Sequence, residues 1–210
     1  MIRLPLISLL VLGFAGAAQA APCTGSCAVN VDQIGPVATI KQTGSSNTAN
    51  VTQRGAASSA SITQTGSSLQ ANINQTASAR QTATVVQQGA GNAMSLAQSG
   101  VAPNTFSSTQ TGSGNSISAI QFALGGSNTA SLTQTGSNNS ASLSQTGGGN
   151  SATQVQNGSN DHQSVVQVGL NDSAVYDQQG SNLPNLGITQ LGSNASVVVT
   201  QTAAGVVRGR

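Results

Sequence analysis

Residues 127–150 read SNTASLTQTGSNNSASLSQTGGGN, one phrase said twice. In each copy a Gln (Gln134, Gln145) has Leu two before it (Leu132, Leu143), Ala four before (Ala130, Ala141), Asn six before (Asn128, Asn139) and Gly two after (Gly136, Gly147). The phrase recurs outward in both directions. Indexed by its Gln it falls at residues 33, 42, 53, 64, 75, 87, 98, 110, 121, 134, 145, 156, 167, 178, 190 and 201; of the fourteen spacings counted from Gln42, ten are 11, three are 12 and one is 13. A fixed period of this kind is the mark of a stacked repeat architecture.

Within a unit the pattern alternates, as in Ala60-Ser61-Ile62-Thr63-Gln64, so that Ala, the aliphatic residue and Gln share one face and hydroxyl or amide residues the other. Val, Ile or Leu stands two before the Gln in twelve units and Ala four before in nine. Where volume is lost it is restored nearby: Ser108 follows Phe106, and Ala119 follows Ile117. The local element is a short strand. It is followed by Gly in thirteen of sixteen units, with Ala77, Ala123 and Ala203 in the others, and G-x-x-N reads as a tight arc because Gly and Asn tolerate positive φ. Pro36, Pro103 and Pro184 fall in arcs, where no ladder donor is lost.

Two 11-residue units therefore form one coil of about 22 residues, and the expected fold is all-β: a β-solenoid of about eight two-strand coils over residues 33–203. Equivalent residues then lie above one another at about 4.8 Å, where stacked amides can hydrogen-bond from rung to rung. The expected ladder is Gln42, Gln53, Gln64, Gln75, Gln87, Gln98, Gln110, Gln121, Gln134, Gln145, Gln156, Gln167, Gln178, Gln190 and Gln201. The expected arc amides are Asn47, Asn92, Asn104, Asn115, Asn128, Asn139 and Asn150. Both ends, made of the same repeat as the interior, are expected to present open strand edges for another copy.

Residues 1–20 have the features of a secretory leader: Arg3, the apolar run LPLISLLVLGFAGA and the box Ala18-Gln19-Ala20. Residues 21–32 form an N-terminal segment with Cys23 and Cys27, and residues 204–210 a short tail. In an oxidising compartment the two Cys can form a local disulfide, remain thiols or link two molecules; with only the distant His162 besides, a metal site lacks ligands.

Composition narrows the function. Lys and Arg total 6 and Asp and Glu 4, with no charged residue between Arg80 and Asp161, so the clustered cations that nucleic acid requires are missing. His162 beside Asp161 lies in an arc of the repeat and makes no triad, and Gly147-Gly148-Gly149-Asn150 lacks the Lys of a phosphate loop. No enzyme, cofactor or small-molecule ligand is expected.

The spacing Gln-x4-Asn-x5-Gln occurs without a gap at Gln42/Asn47/Gln53, Gln87/Asn92/Gln98, Gln110/Asn115/Gln121, Gln134/Asn139/Gln145 and Gln145/Asn150/Gln156. This resembles the curlin repeat of curli subunits, written Ser-x5-Gln-x4-Asn-x5-Gln, over nearly all of residues 29–203. The resemblance implies a bacterial β-solenoid exported through an outer-membrane secretion pore and assembled outside the cell into amyloid fibres for biofilm matrix and adhesion. Its implied partners are further copies of itself and a curli-type partner subunit or nucleator. The chain departs from that pattern in carrying mostly Asn (Asn104, Asn128) where the family has Ser, in Asp161 and Asp172 at the same place, and in a Cys pair where the family has its export signal.

The alternative from another class is a monomeric solenoid that binds ice or another surface through Thr-x-Thr rows: Thr63/Thr65, Thr109/Thr111, Thr133/Thr135 and Thr200/Thr202. Those rows are interrupted by Ile120/Phe122, Val166/Val168 and Thr189/Leu191, and Thr favours strands in any case. An adhesin-like passenger is the third reading.

Overall fold

A computed structural model describes residues 7–12, 23, 26–34, 37–55, 57–203 and 205–209. The strands follow the repeat: β2 (Cys27–Ile34), β3 (Val37–Ser45), β4 (Thr48–Arg54), β5 (Ser59–Ser67), β6 (Gln70–Ala77), β7 (Gln81–Ala90), β8 (Ala93–Gly100) and β9 (Asn104–Ser113) in the first half. The second half holds β10 (Ser116–Ala123), β11 (Asn128–Ser137), β12 (Ser140–Gly148), β13 (Ser151–Ser159), β14 (His162–Leu170), β15 (Ser173–Ser181), β16 (Ile188–Ser193) and β17 (Ser196–Thr202). Two strands lie outside the period, β1 (Ile7–Leu12) and β18 (Gly205–Gly209).

The chain is an all-β solenoid. Even-numbered repeat strands form one parallel sheet, which we call sheet A, and odd-numbered ones a second, sheet B. Successive strands thus face each other across the interior, while hydrogen-bonded neighbours are a full coil apart: Gln110 lies opposite Gln134, and Gln134 opposite Gln156. The registers keep equivalent positions aligned through the insertions that lengthen some units, because the extra residues fall in arcs such as the one holding Pro103.

The alternation read from the sequence is the burial pattern. In β11, Asn128, Ala130, Leu132 and Gln134 point inward and Thr129, Ser131 and Thr135 outward. Ala38, Ile40, Ala49, Val51, Ala60 and Ile62 open a continuous apolar core that runs through Leu132 and Leu143 to Tyr176, Ile188 and Val199. Phe106 and Ser108 are both buried, as are Ile117 and Ala119, so the volume exchange between these positions holds. A side chain this thin between two sheets leaves little room, and small Ala beside each large residue lets the layers interdigitate.

The arcs turn on left-handed residues, Ser46, Ser68, Asn138, Asn160, Asn171, Asn182 and Asn194. The glycine at Gly136 has a second reason besides its φ of +115°: a Cβ there would overlap the carbonyl oxygen of Gly158 in the next coil. Close stacking of the Gly136 arc on the next therefore leaves no room for a side chain there.

The ends differ from the expectation of open edges. β1 pairs in parallel with β2 and covers the first edge of sheet A, and β18 pairs antiparallel with β17 and covers the last edge of sheet B. No period announces either strand, so neither was foreseen. β3 and β16 remain terminal in their sheets, with Cys23 making a single parallel bridge to Gly44 on β3. β1 falls within the expected leader; the cleavage box at 18–20, Pro36 and the side chain of Gln33 lie outside the described residues. Cys23 and Cys27 are buried and joined by a disulfide.

Candidate functional site

The repeat places one Gln on the inner face near the end of each strand from β3 to β17, so the stack turns the set into two columns. In sheet B, Gln42, Gln64, Gln87, Gln110, Gln134, Gln156, Gln178 and Gln201 are linked Nε2 to Oε1 in that order, at 2.7–3.1 Å. In sheet A the same chain runs Gln53, Gln75, Gln98, Gln121, Gln145, Gln167, Gln190 at 2.7–2.8 Å. All fifteen are buried.

Each amide also reaches across the solenoid. Gln64 Nε2 donates to the Thr48 carbonyl, Gln98 to Thr82, Gln134 to Ser116 and Gln145 to Thr129, each at the start of the facing strand. One hydrogen thus binds the next coil and the other closes an arc, which satisfies both donors of a buried amide.

The arc amides work in the same two directions. Asn115 Nδ2 donates to the Thr111 carbonyl within its own arc and to Gly136 in the next coil, while its Oδ1 accepts the backbone N–H of Asn139. Asn47, Asn92, Asn139 and Asn150 repeat this arrangement, and Asn128 does so with the carbonyls of Phe122 and Gly147. Asn104 differs: it donates to Gln81 Oε1 and the Ser99 carbonyl, and its Oδ1 has no partner.

Other residues stand at column and core positions, and their hydrogen-bond state is visible only in three dimensions. Asp161 and Asp172 continue the two arc columns: their Oδ1 atoms accept the N–H groups of Leu183 and Ala195, as Asn would, but their buried Oδ2 atoms have no donor. Ser58 and Gln81 occupy the same columns, buried, in place of Asn. Gln154 and Gln163 enter the core at the aliphatic and Ala positions, donating to backbone carbonyls with their Oε1 atoms unpaired. Tyr176 fills another aliphatic position, and its hydroxyl donates to Gln201 Oε1 at 2.9 Å and accepts from Leu186 N. Burial raises the Tyr176 phenol above its ordinary value, outweighing the backbone N–H groups of Leu186 and Gly187.

Both columns begin on an unmatched acceptor: Gln42 Oε1 in sheet B and Gln53 Oε1 in sheet A are buried and have no hydrogen-bond partner among the described residues. At the other end Gln201 Nε2 donates to the Pro184 carbonyl, and among the described residues no further ladder Gln follows it. Beside it the last coil leaves an open cleft of about 280 Å³ between Leu186, Ile188, Val197 and Val199, its lining part aliphatic side chain and part polar.

A scan against protein-family models finds no match, and no curated protein matches the chain.

Proposed function

We propose that the chain is a secreted structural subunit that self-assembles, coil on coil, into extracellular curli-like amyloid fibres serving biofilm matrix and surface adhesion. The carrying observation is the state of the column ends: Gln42 Oε1 at one end is buried without a hydrogen-bond partner, and Gln201 at the other has no ladder acceptor among the described residues and gives its Nε2 to the Pro184 carbonyl. A second copy stacked head to tail, in the same parallel sense, brings Gln201 to Gln42 and carries the sheet B column across the joint. It also closes the cleft over Ile188 and Val199. Buried polar atoms without partners are costly, so the joint gains from both terms.

The resemblance to the curlin repeat supports the same reading and adds its setting: removal of the leader, passage through an outer-membrane pore, and a partner subunit or nucleator. Loss of the leader would take β1 with it and uncover the β2 edge of sheet A. The test is assembly of the mature chain from Ala21 at micromolar concentration. Thioflavin-positive fibres with a meridional spacing near 4.7 Å are expected after a lag; a persistently soluble monomer would overturn the proposal. Trace amounts abolishing the lag of a partner subunit would assign the nucleator role.

A further inference from the structure

The outer face of sheet A changes character halfway along. Its first strands carry a polar surface, with the exposed amides Asn30, Asn50 and Asn72 bonded in series and Arg54 paired with Asp32 at 3.3 Å. From β10 onward the same face carries large apolar side chains among uncharged Ser and Thr: Ile120, Phe122, Val168 and Leu191 are exposed, with Leu124 and Leu170 exposed at its edge. The registers put Phe122, Thr146, Val168 and Leu191 side by side in one row, and the strands β10, β12, β14 and β16 carry no Lys, Arg, Asp or Glu. The single ionisable residue on them is His162, at the start of β14.

We propose that this half-face joins a second copy of the chain laterally, between neighbouring fibres, about a two-fold axis running along the strands between β12 and β14; the inference rests on the self-assembly reading. The relief is self-complementary. β12 presents the small residues Ser142, Ser144 and Thr146 between the ridges of β10 and β14. The axis lays the partner's β14 over that trough, so that Val168 of one copy meets Thr146 of the other, and sets Phe122 against the partner's Leu191. Pairing in this way buries no charge on either side, and sheets of equal strand spacing pack face to face without loss of step.

The area fixes where the contact acts. Four strands about 4.8 Å apart with two or three outward residues each span a few hundred Å², within what the largest apolar patch of a monomer covers. That area falls short of the roughly 800 Å² per partner of a stable pair. Isolated copies stay apart. Along a fibre the patch recurs once per subunit, and the many weak contacts act together. The axis reverses the stacking direction, so paired fibres run antiparallel.

The experiment compares fibres of the mature chain with those of a Phe122→Thr/Leu191→Thr variant, both positions being exposed and Thr keeping strand propensity. Electron microscopy should show paired fibres for the parent and single ones for the variant, with low-speed sedimentation reduced at least about tenfold. An Asn50→Ser control on the polar half should pair as the parent does. In a second variant, Phe122→Cys with Leu191→Cys, the two positions lie three strand steps apart, about 14 Å in one copy, too far for an internal bridge. Oxidation should therefore cross-link its fibres between copies. Unchanged pairing of the Thr variant, or absence of cross-links, overturns the lateral contact while leaving the fibre reading intact. Pairing unchanged but binding to lipid vesicles lost would assign the face to a membrane instead. If the parent forms no fibre, the self-assembly reading fails and this inference with it.

Discussion

Gln134 donates from Nε2 to Oε1 of Gln156 at 2.7 Å, and the same nitrogen donates to the Ser116 carbonyl at 3.0 Å, so one buried amide ties two coils and two sheets together. Replacing it with Ala strands the Gln110 donor, the Gln156 acceptor and the Ser116 carbonyl. Unpaired buried groups cost about 1–3 kcal/mol each. Gln134→Ala should therefore lower the local opening energy of β9, β11 and β13 by about 3 kcal/mol or more, read by amide hydrogen exchange. Opening should be local because each coil contacts only its neighbours. Uniform protection identical to the parent would show that the column contributes nothing.

The Asp161 and Asp172 positions run the other way. Each Oδ2 sits where an Asn places a donor: Asn139 Nδ2, one coil earlier in the Asp161 column, gives its hydrogens to the Thr135 and Gly158 carbonyls. Asp161→Asn supplies those hydrogens to its own arc, as does Asp172→Asn, and each should stabilise the C-terminal coils by about 1 kcal/mol. Chemical denaturation that moves toward lower stability would refute this account of the carboxyls.

Alkaline pH should loosen the last coils through Tyr176. Its phenol is raised by burial in the folded chain, from an unfolded value near 10. The neutral form is thus favoured by folding: the stability it contributes is fully present below about pH 10 and lost as pH rises through the folded value. Tyrosinate absorbance and loss of strand circular dichroism should rise together above pH 10, whereas Tyr176→Phe should keep its strand signal to higher pH. Ionisation with the strand signal unchanged would contradict the coupling.

Removing residues 204–210 should speed growth at the C-terminal end. β18 occupies the backbone edge of β17 from Val198 to Thr202, the edge an incoming copy's β3 would need. Seeded elongation should rise several-fold in the shortened chain, and β17 amides in the monomer should exchange faster. Equal elongation rates would mean that the tail is displaced at no cost.

The repeat by itself determined the class of fold, the inward set and the two amide columns. An 11-residue alternation of Ala, aliphatic and Gln admits strands with one buried face, and Gly two after thirteen of the sixteen Gln admits a turn. These are local facts, and a period carries them faithfully through sixteen units. The tertiary structure decided what depends on neighbours a whole coil away. It left Oδ2 of Asp161 and Asp172 without a donor, buried Gln154 and Gln163 in the core and joined Tyr176 to Gln201. It also covered two edges with β1 and β18, which share no period with the rest. A residue's spacing fixes which face it lies on; its hydrogen-bond partner is fixed only when the coil above arrives, about 22 residues later.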